Sequence, residues 1–569
     1  MNQFTKGTGK PRRLRPLWPW FLAGLTFFVA CPAMAGSPAD PIHVKVHARV
    51  LHRIDARLFG QFMEKASWGG EIGSETAVIP GTHELRPQAK ELIRQMQIPV
   101  VRFPGGTDAD YIDWLDMIDQ APGRSGDRPL TRGHTGNQVT NYFGYDEFLR
   151  LCEELKMEPI VVVNFRDGLL AKDGVGRAAR HAAKLAAYCN ARVEAELPED
   201  LASWPRLRAA NGHPQPYGVK YFQIGNESWA FADKAREEQY LVALEAYVDA
   251  IRRLDSTARV IVDGQPPELA RRVHRRLGDR ISYFAVHHYQ PWQIKEVRRG
   301  DTLVDAAQLT AADIWYAWVT LPQVGQDGQS CFQRSELNQA RDLQYKVAMT
   351  EWSWNGWWGA SLRNHVVLDS LFARGLGAAG ILHAIMRQGD VVELATQSML
   401  IGDGWKIHAV WCDRNGKTPP VMLPSGQVTM LYSRHHGSQR LQIDIANVPC
   451  YEQPYRMGGI GPAPRAAYLD VLATRDKNTL YVHAINRHFD EALAMQVDLS
   501  ALGRSTGAKG TLHVLEGRLS NAPAGSETLA PAQIREEKID MASDKVTVRL
   551  PSRSVSVAEI PFAPAGPKS

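Results

Sequence analysis

From about residue 54 to residue 385 the chain alternates between two hydrophobic rhythms. Short apolar or β-branched runs recur at 58–62, 99–103, 159–163, 220–224, 260–263, 283–287, 346–350 and 380–383. Between most of them lie stretches with apolar residues three and four apart, among them 84–96, 145–155, 178–189, 238–254 and 362–376. That spacing lines one face of a helix. Eight strands alternating with helices predict an α/β fold of the (β/α)8 type, a TIM barrel. A doubly wound sheet competes on the same alternation, but no Gly-rich phosphate turn follows an early strand.

Beyond the eighth run the rhythm changes. A helical stretch at 425–432 precedes segments with two-residue alternation at 441–445, 480–485, 494–499, 511–515 and 545–550. Clusters of Gly, Pro, Asn and Ser separate them, the pattern of a β-sandwich. Residues 42–51 alternate in the same way and are a candidate for pairing with the sandwich. No repeat of solenoid or propeller period is present in the sequence.

Composition narrows the class. The 569 residues are 44% hydrophobic and 22% charged, which argues against a disordered chain, a collagen-like fibre or a disulfide mini-protein. The net charge of +5 resides at the start, where Lys6, Lys10, Arg12, Arg13 and Arg15 meet no acidic residue through position 35. Without those five, 61 basic residues face 61 acidic ones, so a nucleic-acid partner has little electrostatic support. The basic stretch leads into the apolar run 17–30 and then Ala33-Met34-Ala35, the form of an export signal with its cleavage site. An uncleaved anchor is the alternative, although the run is short for a membrane span. The expectation is a periplasmic or secreted chain with no membrane attachment after cleavage. Beyond Cys31, the five cysteines Cys152, Cys189, Cys331, Cys412 and Cys450 show no CxxC or metal-ligand spacing. Cys152 and Cys189 read as buried small hydrophobes, and a Cys412–Cys450 bridge stays open.

In a barrel of this kind, polar residues just past the strand ends share one mouth. Those positions hold Glu64, Arg102 with Gly105-Gly106, Asn164, Asn226-Glu227, His287-His288-Tyr289 and Thr350-Glu351-Trp352. A lone Glu at a strand end is more often a surface charge or a helix-entry acceptor. Here Glu227 follows Gly225-Asn226 directly after an apolar strand, and Glu351 sits among Trp352, Trp354, Trp357 and Trp358, whose faces suit sugar rings. Two carboxyl groups across the mouth, one protonated and one ionised, are what glycosidic hydrolysis requires. His287 and His288 lack a third ligand of recognisable spacing, so neither a metal nor another cofactor is expected.

Several segments resemble glycoside hydrolase family 51, the retaining α-L-arabinofuranosidases. They are 58–64 (LFGQFME), 101–106 (VRFPGG), 143–152 (FGYDEFLRLC), 214–217 running into 220–227 (KYFQIGNE), 287–289 (HHY) and 350–352 (TEW). The resemblance holds in order and spacing from about residue 50 to 400. It implies a catalytic barrel joined to a β-sandwich that takes strands from both ends of the chain. The expected division is a signal peptide at 1–35, an N-terminal strand joining the sandwich at 36–53, the barrel at 54–437 and the sandwich at 438–569. By position, Glu227 is similar to the family's general acid/base and Glu351 to its nucleophile. Glu64, Arg102, Asn226, His287, Tyr289 and Gln397 match positions that line the sugar subsite, and Trp352 is expected to contact substrate beside them.

The sequence also departs from the family. Thr107-Asp108-Ala109-Asp110 replaces the usual Asn and aromatic stretch after the Gly-Gly turn, and Ser398-Met399-Leu400 replaces a Val-Asn run after Gln397. The connection 290–343 is long and is expected to form a lid or an extended wall. The resemblance implies an exported arabinofuranosidase of carbohydrate metabolism acting on a carbohydrate substrate by double displacement. A related barrel glycosidase of other specificity, such as an endo-glucanase, β-xylosidase or β-glucuronidase, and a non-catalytic carbohydrate-binding protein are the alternatives. Whether chains associate as a homo-oligomer stays open.

Overall fold

The computed structural model of the protein describes residues 41–231, 235–320, 334–363, 370–505, 509–517, 533–541 and 544–564. The export segment and Cys331 lie outside these residues. Among the described residues no helix is long and apolar enough to cross a membrane.

Eight parallel strands close into a barrel in the order Gly60–Phe62, Val100–Phe103, Glu158–Val163, Tyr221–Ile224, Arg259–Asp263, Tyr283–Tyr289, Lys346–Ser353 and Val392–Ser398. Alternate residues face opposite ways, as the two-residue period of a strand requires. Val100, Ile160, Tyr221, Ile261, Tyr283, Ala285, Ala348 and Leu394 fill the barrel interior as one buried cluster. Their neighbours Val101, Phe103, Val161, Phe222 and Val262 belong to the separate core under the helices. The helices carry matching apolar stripes. Tyr145–Leu155 buries Tyr145, Phe148, Leu149, Leu151 and Cys152, and its first turn is closed by the Glu147 carboxylate accepting from the Gly144 N–H at 2.7 Å.

The first seven predicted runs coincide with barrel strands, but the eighth does not. Residues 380–383 lie inside the helix Ser370–Arg387, and the barrel closes with Val392–Ser398. This helix is buried on every side from Leu371 to Met386, so it carries no polar stripe. An apolar window of four residues within it reads like a strand.

The sandwich is built from one sheet of ten strands. Its strand Ile42–Arg53, third from one edge, pairs antiparallel with Gln439–Ala446 and parallel with Leu493–Asp498. Val44 and Val46 share one core with Val514 towards one edge and Val548 at the other, so the sheet folds over upon itself. The 290–343 connection forms a wall. Gln293–Ile294 pairs with Trp357–Trp358, and Val297–Arg299 pairs with Tyr455–Met457 of the sandwich side. Its helix Ala311–Val319 is pinned there too, for Trp315 Nε1 donates to the Arg487 carbonyl at 2.7 Å and Arg487 Nε donates to the Val319 carbonyl at 3.0 Å. Residues 321–333 of the connection lie outside the described set. No disulfide joins Cys152, Cys189, Cys412 and Cys450 to one another, so the open Cys412–Cys450 bridge is not formed.

Candidate active site

The inward-facing row at the C-terminal ends of the strands is polar where the layer beneath it is apolar. Arg102 occupies its centre, fully buried, and donates from Nε to Gln223 Oε1 at 2.8 Å, from Nη1 to Glu351 Oε1 at 2.9 Å and from Nη2 to Asn226 Oδ1 at 2.6 Å. One planar guanidinium thus fixes three acceptors from strands four and seven, a task the point charge of a lysine does not perform. The other oxygen of Glu351 accepts from the Tyr289 hydroxyl at 2.6 Å, which also stands 2.8 Å from Ser398 Oγ.

Glu351 reaches the mouth through an irregularity in its strand. Pairing with strand six runs Ala348 to Ala285 and then Glu351 to His287, so strand seven spends one more residue than its partner. Such a bulge re-aims side chains. Thr350 Oγ1 meets His287 Nε2 at 2.9 Å while Glu351 enters the mouth, and Trp352 turns outward. Trp352 is therefore buried in the core behind the strand and does not line the cavity, contrary to expectation. Gln397 has the same fate. It faces outward on strand eight, where it accepts from Gln61 Nε2 at 2.9 Å and from the Thr429 hydroxyl, and its neighbour Ser398 takes the cavity position.

Glu227 is held by backbone. Gly225 has φ +69 and packs so tightly that a Cβ would meet Phe165 Cβ at 2.8 Å, while Glu227 itself adopts φ +50. A non-glycine residue in this left-handed region stores strain that its surroundings must offset. They do so on both sides. The Asn226 N–H donates to Asp110 at 3.2 Å, and the Ser228 N–H donates to Asp263 at 2.6 Å. Asp110 belongs to the segment that departs from the family, and it also accepts from the Phe165 N–H at 2.8 Å.

The Glu227 carboxylate lies 2.9 Å from His287 Nδ1, and the same nitrogen stands 3.5 Å from Glu351. An oxygen of Glu227 and one of Glu351 fall within 4.8 Å of each other. Burial pushes Glu227 up, but the hydrogen bond and charge of His287, with Arg102, hold it below the usual carboxyl value. His287 moves the other way. Burial opposes its charge, yet Glu351 and Glu227 outweigh that and raise it. Glu64 sits beside this pair. Burial first, and then the charges of Glu351 and Asp108, lift it well above the usual range. Asp110 is lifted to about 7, chiefly by burial.

These groups surround a cavity of about 280 Å³, walled on its outer side by Trp68, Trp292, Trp357 and Trp405. Trp292 and Trp357 contact at 5.2 Å between ring centroids, and Trp68 and Trp405 at 4.3 Å. Glu64, Asn226, Glu227, Tyr289 and Glu351 line the cavity, with Arg102 and His287 directly behind them. A larger open groove of about 1230 Å³ runs along the outer helices, and none of the expected site residues lines it. Glu227, His287 and Glu351 have the donor atoms for a metal ion, but Arg102 places a fixed positive charge against Glu351 and competes with a cation there. Sequence reasoning passed over Gln223, Trp68, Trp292 and Trp405. Gln223 carries a legible signal, a polar residue inside the otherwise apolar strand Tyr221–Ile224.

A barrel with two glutamates on strands four and seven facing one sugar-sized cavity defines the glycoside-hydrolase type of site. Residues 92–304 match the family described as the alpha-L-arabinofuranosidase 1 domain. An intracellular exo-alpha-L-arabinofuranosidase of Bacteroides ovatus is 23% identical over 525 residues, 89% of this chain and 93% of that protein. A probable alpha-L-arabinofuranosidase C of Aspergillus clavatus is 30% identical over 231 residues, 39% of this chain and 41% of its own. The fold is that of a thermostable family 51 α-L-arabinofuranosidase of Thermotoga petrophila, with a TM-score of 0.66 and 22% identity over 91% of this chain and all of that one. The chain is thus similar in sequence to α-L-arabinofuranosidases and shares the fold of a family 51 member.

Proposed function

We propose that the protein is an exported, retaining α-L-arabinofuranosidase that removes single terminal arabinofuranosyl groups from oligosaccharides or polysaccharides. The observation that carries this reading is the approach of Glu227 and Glu351 within 4.8 Å. Retaining enzymes hold their carboxyl groups about 5–5.5 Å apart, whereas inverting enzymes leave about 6.5–9.5 Å for a water. Glu351, accepting from Arg102 and Tyr289, attacks the anomeric carbon and becomes the glycosyl ester. Glu227 gives its proton to the departing oxygen and then takes one from the water that frees the sugar. Glu64 and Asn226 bind the sugar hydroxyls, and His287 shares the proton of Glu227. A cavity of about 280 Å³ lined by four Trp suits one sugar ring and favours end-on removal over the internal cleavage of an endo-glucanase.

The test is hydrolysis of a panel of aryl furanosides and pyranosides by the wild type, Glu227→Gln and Glu351→Gln. Glu227→Gln should lose about 10²–10⁴-fold, the worth of general acid–base help, and Glu351→Gln more. Full activity in either variant sinks the assignment, and activity confined to pyranosides moves it to another specificity. The Bacteroides relative is named intracellular, so export rests on residues 1–35 of this chain. Amino-terminal sequencing of the secreted or periplasmic protein should begin near residue 36, and recovery of the intact chain from the cytoplasm would refute it.

A further inference from the structure

Glu71 is a buried charge that the catalytic cluster does not use. It is 1% exposed, does not line the cavity, and lies in the segment after strand one, close behind Trp68. One of its oxygens accepts from the N–H groups of Ile72 at 3.0 Å, Gly73 at 2.8 Å and Asp403 at 3.3 Å, and the other from the Gly404 N–H at 2.8 Å. His408 Nε2, on a fully buried ring, stands 2.9 Å from the second oxygen. Asp403 and Gly404 lie 332 and 333 positions away along the chain, in the segment after strand eight. Burial pushes the Glu71 carboxyl up, but the charge and close approach of His408, with the Gly73 and Gly404 N–H groups, hold it down to about 2.

The two segments that meet on Glu71 carry two of the four indoles in the cavity wall. The Ser74 N–H donates to the Glu64 carbonyl at 2.8 Å, so residues 64–74 form a closed loop that bears Trp68. The segment from Ser398 to His408 bears Met399, Trp405 and Ile407, which all line the cavity. Trp357 Nε1 donates to the Trp405 carbonyl at 3.0 Å and ties a third indole to this segment. Packing beneath the wall is close, for a Cβ on Gly402 would come within 2.1 Å of His408 Nε2 and 2.7 Å of Glu71 Oε1. Arg414 spans the same two loops from outside, donating to Asp403 at 2.6 Å and to the Gly70 carbonyl. Solvent screens that exposed tie, whereas the buried carboxylate gives four loop N–H groups their acceptor.

We propose that Glu71 is a positioning residue for the sugar subsite, clamping the loops after strands one and eight so that Trp68 and Trp405 stand as one wall. The inference rests on the reading of the cavity as a sugar site. An amide of the same shape does not replace the carboxylate. Both oxygens of Glu71 accept from backbone N–H groups, so either orientation of the amide in Glu71→Gln points an NH2 at a backbone N–H. The clamp loosens, while Arg102, Glu227 and Glu351 keep their own partners. A wall that grips the sugar equally before and during reaction shows its loss in KM.

Steady-state kinetics of the full chain on para-nitrophenyl α-L-arabinofuranoside, run below the melting transition of each variant, tests this. Glu71→Gln should raise KM about 3–10-fold, the scale of a displaced aromatic contact, with a smaller change in kcat. In a Trp68→Ala/Trp405→Ala background the same change should add less than about twofold, because the wall it holds is already gone. Asp470→Asn, which breaks a buried ion pair with Arg387 outside the cavity, should leave KM unchanged. His408→Gln keeps the four N–H contacts; it should raise KM in the same direction and carries the test if Glu71→Gln does not fold. Hydrogen exchange of peptides spanning residues 64–74 and 398–408 reads the clamp without any sugar, and both should exchange faster in Glu71→Gln. A lower Tm with unchanged KM overturns the proposal, as does a full KM effect in the double-Trp background or an equal rise in Asp470→Asn. Failure of the wild type to hydrolyse any arabinofuranoside refutes the functional reading instead. The exchange data then decide the clamp, and unchanged exchange in either segment overturns it.

Discussion

Glu227 and His287 form one acid–base unit. Their hydrogen bond lowers the carboxyl and raises the imidazole, so the pair keeps a proton that leaves only at the higher of the two values. Departure of that proton sets the alkaline limit of activity, since the leaving oxygen needs it. With His287→Gln the proton is held by a lone carboxyl group, and the alkaline limb of the kcat/KM profile should move to lower pH. An unmoved limb would show that His287 has no part in the proton's retention. At this scale the sequence was informative about identity but not about direction. Glu227, Glu351, Arg102 and Tyr289 were legible because each lies at a strand end. Trp352 and Gln397 were misplaced because the alternation of facing depends on register, and an extra residue in each of their strands reverses it.

The elements place the site through a few tight approaches between backbone and side chain. Gly356, with φ +60, lies where a Cβ would come within 2.3 Å of the Trp318 ring, and the next residue, Trp357, walls the cavity. Gly356→Ala must strain this turn and displace a buried Trp. We expect a lower Tm and a higher KM, with a smaller effect on kcat, because neither Glu227 nor Glu351 lies in the turn itself. Thermal melts and steady-state kinetics on an aryl arabinofuranoside check this, and wild-type values for both would contradict it. Seven barrel strands were legible from short apolar runs between amphipathic helices. The eighth was hidden because the helix Ser370–Arg387 is enclosed and loses the polar face that marks a helix, while the real strand Val392–Ser398 carries Glu393, Thr396 and Gln397 and looks less apolar than the helix before it.

Over the whole molecule, barrel and sandwich are joined through a buried charge network. Asp470 of the strand Leu469–Arg475 accepts from Arg387 and, at 3.2 Å, from Arg487, and lies 3.2 Å from His383. Burial pushes its carboxyl up, but Arg387, His383 and Arg487 outweigh this and hold it well below the usual range. A group whose value falls on folding stabilises above its unfolded value of about 4 and loses that contribution as pH drops. Asp470→Asn should therefore cost about 3–5 kcal/mol near neutral pH, as for other broken buried pairs, and less in acid. Thermal melts across that pH range check it, and an equal loss at every pH would contradict it. The sandwich's strands were largely legible from two-residue alternation, but this network was not, since it joins Asp470 to Arg387 and His383, 83 and 87 positions away along the chain, with no local pattern. The account stands or falls on the paired action of Glu227 and Glu351. Proton NMR of the first sugar released from an aryl α-L-arabinofuranoside tests it most directly. The α-anomer should appear first and then mutarotate, whereas initial release of the β-anomer, or no release at all, would contradict the double displacement.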